Sequence, residues 1–218
     1  MKHHQKITAI LMICTLLLLT ACTGTTTPER LVVLDAGHGG KDVGCSHGET
    51  LEKDINLAVA LQTKAALEKL GYEVVLTRAD DTFISLDERV EIANKNRGGM
   101  FVSIHVNSTE KSTGATGIET YCDANANPHS AALAQAVQDA AVKKTGAKDR
   151  NMRDDSNFQV VRYSKIPACL IEIGFINAKA EREKLVKESY QKKLAEAIAE
   201  GVEAFFAERE AAEQGMSD

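Results

Sequence analysis

The 218-residue chain has no tryptophan, and aromatic residues make up only 5% of it. A carbohydrate or base-stacking platform would have to be built from four tyrosines and six phenylalanines. No basic tract occurs anywhere, and 26 Lys and Arg against 31 Asp and Glu leave a formal charge of −5. That balance gives no electrostatic reason to expect nucleic acid or a polyphosphate as partner. No apolar run is long enough to span a bilayer, which takes roughly 20 residues of helix. The five cysteines show neither zinc-ribbon nor CxxC spacing. What is present is ordinary: 44% hydrophobic and 26% charged residues over one domain's length. Collagen, disorder throughout and a polytopic membrane protein are excluded.

The longest apolar stretch, Ile7 to Thr20, follows Lys2 and Lys6 and is too short to cross a membrane, so it reads as a secretory h-region. It closes on Leu19-Thr20-Ala21-Cys22, which resembles the bacterial lipobox. Cleavage there makes 1–21 a lipoprotein signal peptide and leaves Cys22 as the lipid-modified N-terminus, anchored through several acyl chains. Residues 22–29 are short, polar and proline-bearing and form a tether. The protein is thus expected to be extracytoplasmic and lipid-anchored to a bacterial membrane. Cys14 is discarded and Cys22 acylated, so Cys45, Cys122 and Cys169 remain as small, mostly buried residues, with one disulfide at most.

Residues 30–208 have the pattern of one folded domain, with 209–218 a polar tail. Leu31 to Leu34, Met100 to Ile104 and Ala168 to Ile171 are short apolar runs expected of strands buried on both faces of a sheet. Tyr72 to Thr77 is a further strand, and Thr116 to Tyr121 alternates like an exposed one. Helical spacing runs from Leu51 to Leu70, where Gly71 stops it. Ser85 with Glu88 forms a capping-box signal for a helix through Asn94. His129 to Thr145, Lys179 to Lys187 and Tyr190 to Ala207 are also helical. Alternating strands and helices predict an α/β single-domain layered sandwich, with a twisted, largely parallel sheet flanked by helices.

Reactive side chains concentrate at one edge of that sheet. His38 follows the first strand, His105 ends the strand MFVSI, and Glu172 ends ACLI. The carboxyl ends of parallel strands share an edge, where ligand sites form in open α/β folds. Glu52 opens the first helix and reaches the same edge, ahead of Glu49, which lies in the polar loop SHGET. Two histidines and a carboxylate with an open position suit hydrolytic zinc, and a further carboxylate beside them can act as base. His47 is the main rival ligand. Asp35 is placed either to orient His38 or as a structural carboxylate, and Asn107 and Arg78 either to bind substrate or to hold loops.

The segments LDAGHGGKDVG, LEKDINLA, SIHVN and LIEIGFINAKAE occur in order, with TRADD, SLDERVEIAN, GIETY and VVRYSKIPA among them. Together they resemble the zinc-dependent N-acetylmuramoyl-L-alanine amidases of the type-3 family, over roughly residues 30–207. The resemblance implies hydrolysis of the amide between N-acetylmuramic acid and L-alanine in peptidoglycan. It also implies a Zn2+ cofactor held by His38, Glu52 and His105, with Glu172 as the catalytic residue. Peptidoglycan and, through the anchor, a membrane are the partners implied, and the enzyme is expected to be a monomer. Two readings stay open at this point: a zinc peptidase acting within the stem peptide, and a non-catalytic wall-binding lipoprotein. Cys45 stands where the family carries a small residue such as alanine, and NRGGM replaces a more acidic stretch before SIH.

The lipobox generates a direct test. Cells fed a fatty-acid analogue are expected to label the protein at Cys22, and label that persists in Cys22→Ala would remove the assignment.

Overall fold

A computed structural model of the chain describes residues 30–109 and 114–215. Residues 1–29, which hold the expected signal peptide, tether and Cys22, lie outside the described residues. Eight strands and six helices are described: β1 (Leu31–Ala36), β2 (Ser46–His47), β3 (Thr50–Leu51), α1 (Glu52–Lys69), β4 (Glu73–Leu76), α2 (Leu86–Lys95) and β5 (Met100–Asn107), then β6 (Ile118–Cys122), α3 (Ser130–Thr145), β7 (Asp149–Asp154), α4 (Gln159–Arg162), β8 (Ala168–Phe175), α5 (Lys179–Leu185) and α6 (Glu188–Gly215). Six strands form one sheet in the order β4-β1-β5-β8-β6-β7, and β2 and β3 make a small hairpin. Strands β4, β1, β5 and β8 are mutually parallel, while β6 runs antiparallel to β8 and parallel to β7. The expected largely parallel α/β sandwich is what forms.

Alternation along each strand divides the core in two. Val32, Leu34, Val102, Ile104 and Ile171 face the larger cluster, built with Val59, Val137, Ile198 and Phe206 from α1, α3 and α6. Val33, Phe101, Leu170 and Tyr121 face a smaller cluster, closed by Ala93 of α2 and Val160 and Val161 of α4. Both faces of the central strands are buried, which is why they read as unbroken apolar runs.

Three expectations are corrected. Strand β6 is not exposed: it lies between β8 and β7, and all five of its residues are buried. Its polar residues are paired inside the protein, Thr120 Oγ1 donating to Gln138 Oε1 at 2.8 Å and Glu119 meeting Asn107 and Arg150. The last helix does not stop at Ala207 either, because α6 runs on to Gly215 through most of the polar tail. EREAAEQG lacks apolar periodicity, but its Ala, Glu and Arg are strong helix formers, and Arg209 packs over the Phe205 ring while pairing with Glu213. Finally, β5 and β8 extend beyond Ile104 and Ile171, so His105 and Glu172 lie within strands and are held more firmly than loop residues.

The loop after β1 is held from below by two buried arginines. Arg89, 2% exposed, pairs with fully buried Asp35, and its guanidinium also donates to the carbonyls of Ala36 (2.8 Å), His38 (2.7 Å) and Ile84 (3.0 Å). Asp35 further accepts from Thr77 Oγ1 and Ser103 Oγ, both at 2.6 Å. Burial opposes the charge on Asp35, but Arg89 and the two hydroxyls hold its carboxyl below the ordinary value of 3.8. Its contribution to stability is therefore complete above that value and is lost as pH falls through the lower folded-state value. Arg89→Ala, which strands Asp35, is expected to cost about 3–5 kcal/mol in urea unfolding at neutral pH. A loss below about 1 kcal/mol would show that the pair is not holding this loop.

Candidate active site

The turn Gly37-His38-Gly39-Gly40 leads off β1, and His38 takes a left-handed backbone (φ 61°), uncommon for a residue with a side chain. The loop's own contacts impose it. Besides Arg89, Arg78 donates to the carbonyls of Ala36, Gly37, Lys53 and Asp80 at 2.8–3.0 Å, and Lys53 Nζ joins Gly40 O to Asp81. Gly37 is needed for a different reason: a Cβ there would sit 2.2 Å from the His105 ring. Gly44, at φ +65°, combines both needs, since its Cβ would meet Glu52 and His38.

Glu52 is the first residue of α1, where a carboxylate is favoured by the helix N-terminus. The helix carries no side-chain cap; its first amides instead bond to Cys45 O (2.9 Å) and Val43 O (3.3 Å), which fixes where Glu52 stands. Its Oε1 lies 3.2 Å from His38 Nε2 and 2.9 Å from His105 Nδ1, and accepts from the Val106 amide at 3.1 Å. Its Oε2 accepts from the Cys45 amide at 2.8 Å. Burial opposes ionisation of Glu52, yet the hydrogen bonds from His105 and His38 hold its carboxyl well below the usual range. The two imidazoles lie edge to face with centroids 4.9 Å apart.

One donor atom from each of His38, Glu52 and His105 lies within 4.8 Å of the others, a grouping that can hold a metal ion. Two imidazoles and a carboxylate suit a borderline-soft divalent cation. Neither His47 nor Glu49 enters the group; both are exposed, on or beside the β2–β3 hairpin. Cys45 is outside it too: its thiol donates to Val106 O at 3.1 Å, and burial followed by the Glu52 charge pushes its pKa up.

Glu172 lies beside His105 in the β5–β8 register and is 8% exposed. Its Oε2 is buried with no hydrogen-bond partner. Burial, then the charges of Glu52 and Glu119, drive its carboxyl well above the ordinary range. A cation held by the three ligand-type residues acts in the opposite sense and favours the carboxylate. A buried acceptor without a partner costs about 1–3 kcal/mol and calls for an explanation; Asn56 Oδ1, one turn along α1 from Glu52, is the other such atom among the described residues. In front of His38 and His105 a cleft of about 640 Å³ opens, walled by Phe83, Ile84, Leu86 and Phe158.

The remaining expectations divide. Asp35 does not reach His38; it is the structural carboxylate of the arginine clamp, and Asp42 Oδ2 contacts His38 Nδ1 instead, at 2.8 Å. An acid four residues after the histidine was the signal for it. Arg78, 4% exposed, holds loops and does not reach the cleft. Asn107 donates to Glu119 Oε1 at 2.6 Å and receives the Ser108 amide at 2.7 Å, so its amide is already occupied. Glu119 itself went unrecognised. It stands opposite Glu172 in the β6–β8 register, so His105, Glu172 and Glu119 form one row across three strands.

Fold and site together define an α/β protein with a grouping that can hold a metal ion and an unpartnered acid beside it on one sheet edge, an arrangement suited to hydrolysis. Residues 32–204 match the N-acetylmuramoyl-L-alanine amidase family, and the chain belongs to it. The chain is 40% identical to YqiI of Bacillus subtilis (strain 168) over 81% of its own length and 85% of that protein. It is 35% identical to the N-acetylmuramoyl-L-alanine amidase LytC of the same strain, over 80% of this chain but only 35% of LytC. The crystal structure of an N-acetylmuramoyl-L-alanine amidase from Clostridium difficile 630 superposes with a TM-score of 0.79 at 39% identity, covering 83% of this chain and 98% of that one.

Metal analysis separates the two neighbouring acids. Glu52→Ala is expected to lose bound zinc by more than the roughly 10–100-fold that loss of an outer hydrogen-bond partner costs, while Glu49→Ala keeps it. The opposite pattern would move the ligand to Glu49.

Proposed function

We propose that the protein is a zinc-dependent amidase that hydrolyses the bond between N-acetylmuramic acid and L-alanine in peptidoglycan. The observation that carries this reading is the buried, unpartnered Glu172 carboxyl beside the His38, Glu52 and His105 cluster, in a chain of the amidase family. His38, Glu52 and His105 would hold the metal. When bound, zinc supplies Lewis-acid polarisation of a carbonyl and makes water nucleophilic near neutral pH.

Glu172 is the acid–base group. It accepts a proton from the attacking water and delivers it to the L-alanine nitrogen as the C–N bond breaks, since an amide nitrogen leaves poorly unless protonated. Asp42, through His38 Nδ1, fixes the imidazole's orientation and tautomer. The Arg89 and Arg78 clamp keeps the His38 loop in place. Action is extracytoplasmic, in keeping with the family's wall substrate. The Cys22 anchor would keep the enzyme at the membrane; among the described residues no helix is long and apolar enough to cross one.

Coordination number separates base from ligand. Three protein ligands leave a hydrolytic zinc its open position, which a fourth firmly bound carboxylate would close. Glu172→Gln and Glu172→Ala are expected to keep zinc and fold while losing on the order of 10²-fold or more in release of stem peptide, read by mass spectrometry of digested peptidoglycan. Wild-type activity should fall with chelator and return with zinc. Near-normal turnover in Glu172→Gln would sink the base assignment, and zinc lost from Glu172→Ala would make the residue a ligand.

A further inference from the structure

The row His105–Glu172–Glu119 continues onto β7. Ile118 pairs with Asp149 and Thr120 with Met152, so two residues of β7, Arg150 and Asn151, oppose the single Glu119. This is a β-bulge, with Asn151 left-handed at φ 68°, and bulges near sites re-aim side chains. Here the side chain concerned is Arg150, whose Nε donates to Glu119 Oε2 at 3.0 Å and whose guanidinium lies over the Phe175 ring at 4.9 Å. Arg153, three residues on and paired with Tyr121, reaches the same oxygen through one terminal nitrogen at 3.4 Å. Its side chain is 51% exposed, that of Arg150 24%, and that of Glu119 only 4%.

Two guanidiniums thus share the Glu119 carboxylate, and Glu181 is the further acid close enough to Arg150 to feel its charge. Among the described residues, their other N–H groups have no protein acceptor. Asp154, next along the strand, does not neutralise them: it pairs with Cys122, a member of the other core cluster, and accepts from the Ala124 amide. We infer that Arg150 and Arg153 form an anion subsite that binds the free α-carboxylate of the acidic stem residue following L-alanine. This rests on the amidase reading above and names what that site recognises. Neighbouring strands lie about 4.8 Å apart, so β7 is about 10 Å from β8 and Glu172. An extended chain covers about 3.3–3.6 Å per residue, which puts the second stem residue and its carboxylate within reach of a long arginine once L-alanine's nitrogen is at Glu172. A planar fork with spare donors is the group that recognises a carboxylate in two-point fashion.

The test uses the full-length protein and soluble, uncrosslinked glycan strands whose stems differ in one group, the α-carboxylate of the second residue being either free or amidated. The wild-type enzyme is expected to prefer the free acid on the order of tenfold in kcat/KM, expressed mainly in KM, as one solvent-accessible charge-assisted hydrogen bond allows. Arg153→Ala should bring the ratio close to one, and Arg153→Glu should invert it. Equal kcat/KM on the two substrates in the wild type would overturn the subsite and leave the amidase intact. Equal slowing of both substrates in Arg153→Ala would reduce the arginines to a structural counter-charge for Glu119, which also overturns it. Release of stem peptide from neither substrate would instead count against the amidase reading itself.

Discussion

The buried Asp35–Arg89 pair is the constraint on which the active site hangs. Asp35 lies in the middle of the sheet on β1, and taking its charge out of water is tolerable only because Arg89, Thr77 and Ser103 saturate it. Once committed to Asp35, the Arg89 guanidinium has its remaining donors aimed at the carbonyls of Ala36 and His38, the residues that bracket the turn. Arg78 covers the next two carbonyls of interest, Gly37 and Lys53, and so ties the turn to the first residues of α1. His38 and Glu52 are thereby positioned relative to each other by two cations, Arg89 in the wall of the cleft and Arg78 outside it. The unfavourable φ of His38 persists because these contacts over-determine it.

Within that frame the same burial acts on two glutamates with opposite results. Glu52 faces two imidazoles and two backbone amides and is held ionised. Glu172 faces no donor at Oε2 and feels the charges of Glu52 and Glu119, so its carboxyl titrates far higher. Pairs of titratable groups driven apart by their surroundings separate roles: one suited to a permanent charge, the other to a proton that comes and goes.

Residues whose chemistry coincides with a secondary-structure boundary were legible in sequence. His38 and Glu52 flank the loop between an apolar run and a helical pattern, and His105 and Glu172 follow apolar runs, so topology alone gathers all four to one edge. What stayed hidden lacks such a signature. β7, DRNMRD, is a polar edge strand without alternation that any apolar count could detect. Glu119 sits in a strand whose polar residues imitate a solvated face, although both sides of it are covered. Asp35 and Arg78 were ambiguous because a charged residue beside a catalytic loop can serve chemistry or architecture, and only burial decides between them: both are almost wholly inaccessible.

The sheet's two faces explain why substrate has somewhere to lie. On one side α1, α3 and α6 pack along the strands and seal them. On the other, α2 has 10 residues and α4 only four, and together they close the core around Phe101 and Leu170. Side chains on this face of the strands align by register, so His105, the largely buried Glu172 and Glu119, and Arg150 fall on a line at strand spacing, a step that approximates the residue rise of an extended peptide within a factor of about 1.5. A helical wall could not present such a line, because its side chains diverge around a cylinder. The short helices on this face are therefore part of the site, since the cleft before His38 and His105 is walled by Phe83, Ile84 and Leu86 at the start of α2 and by Phe158 at the start of α4.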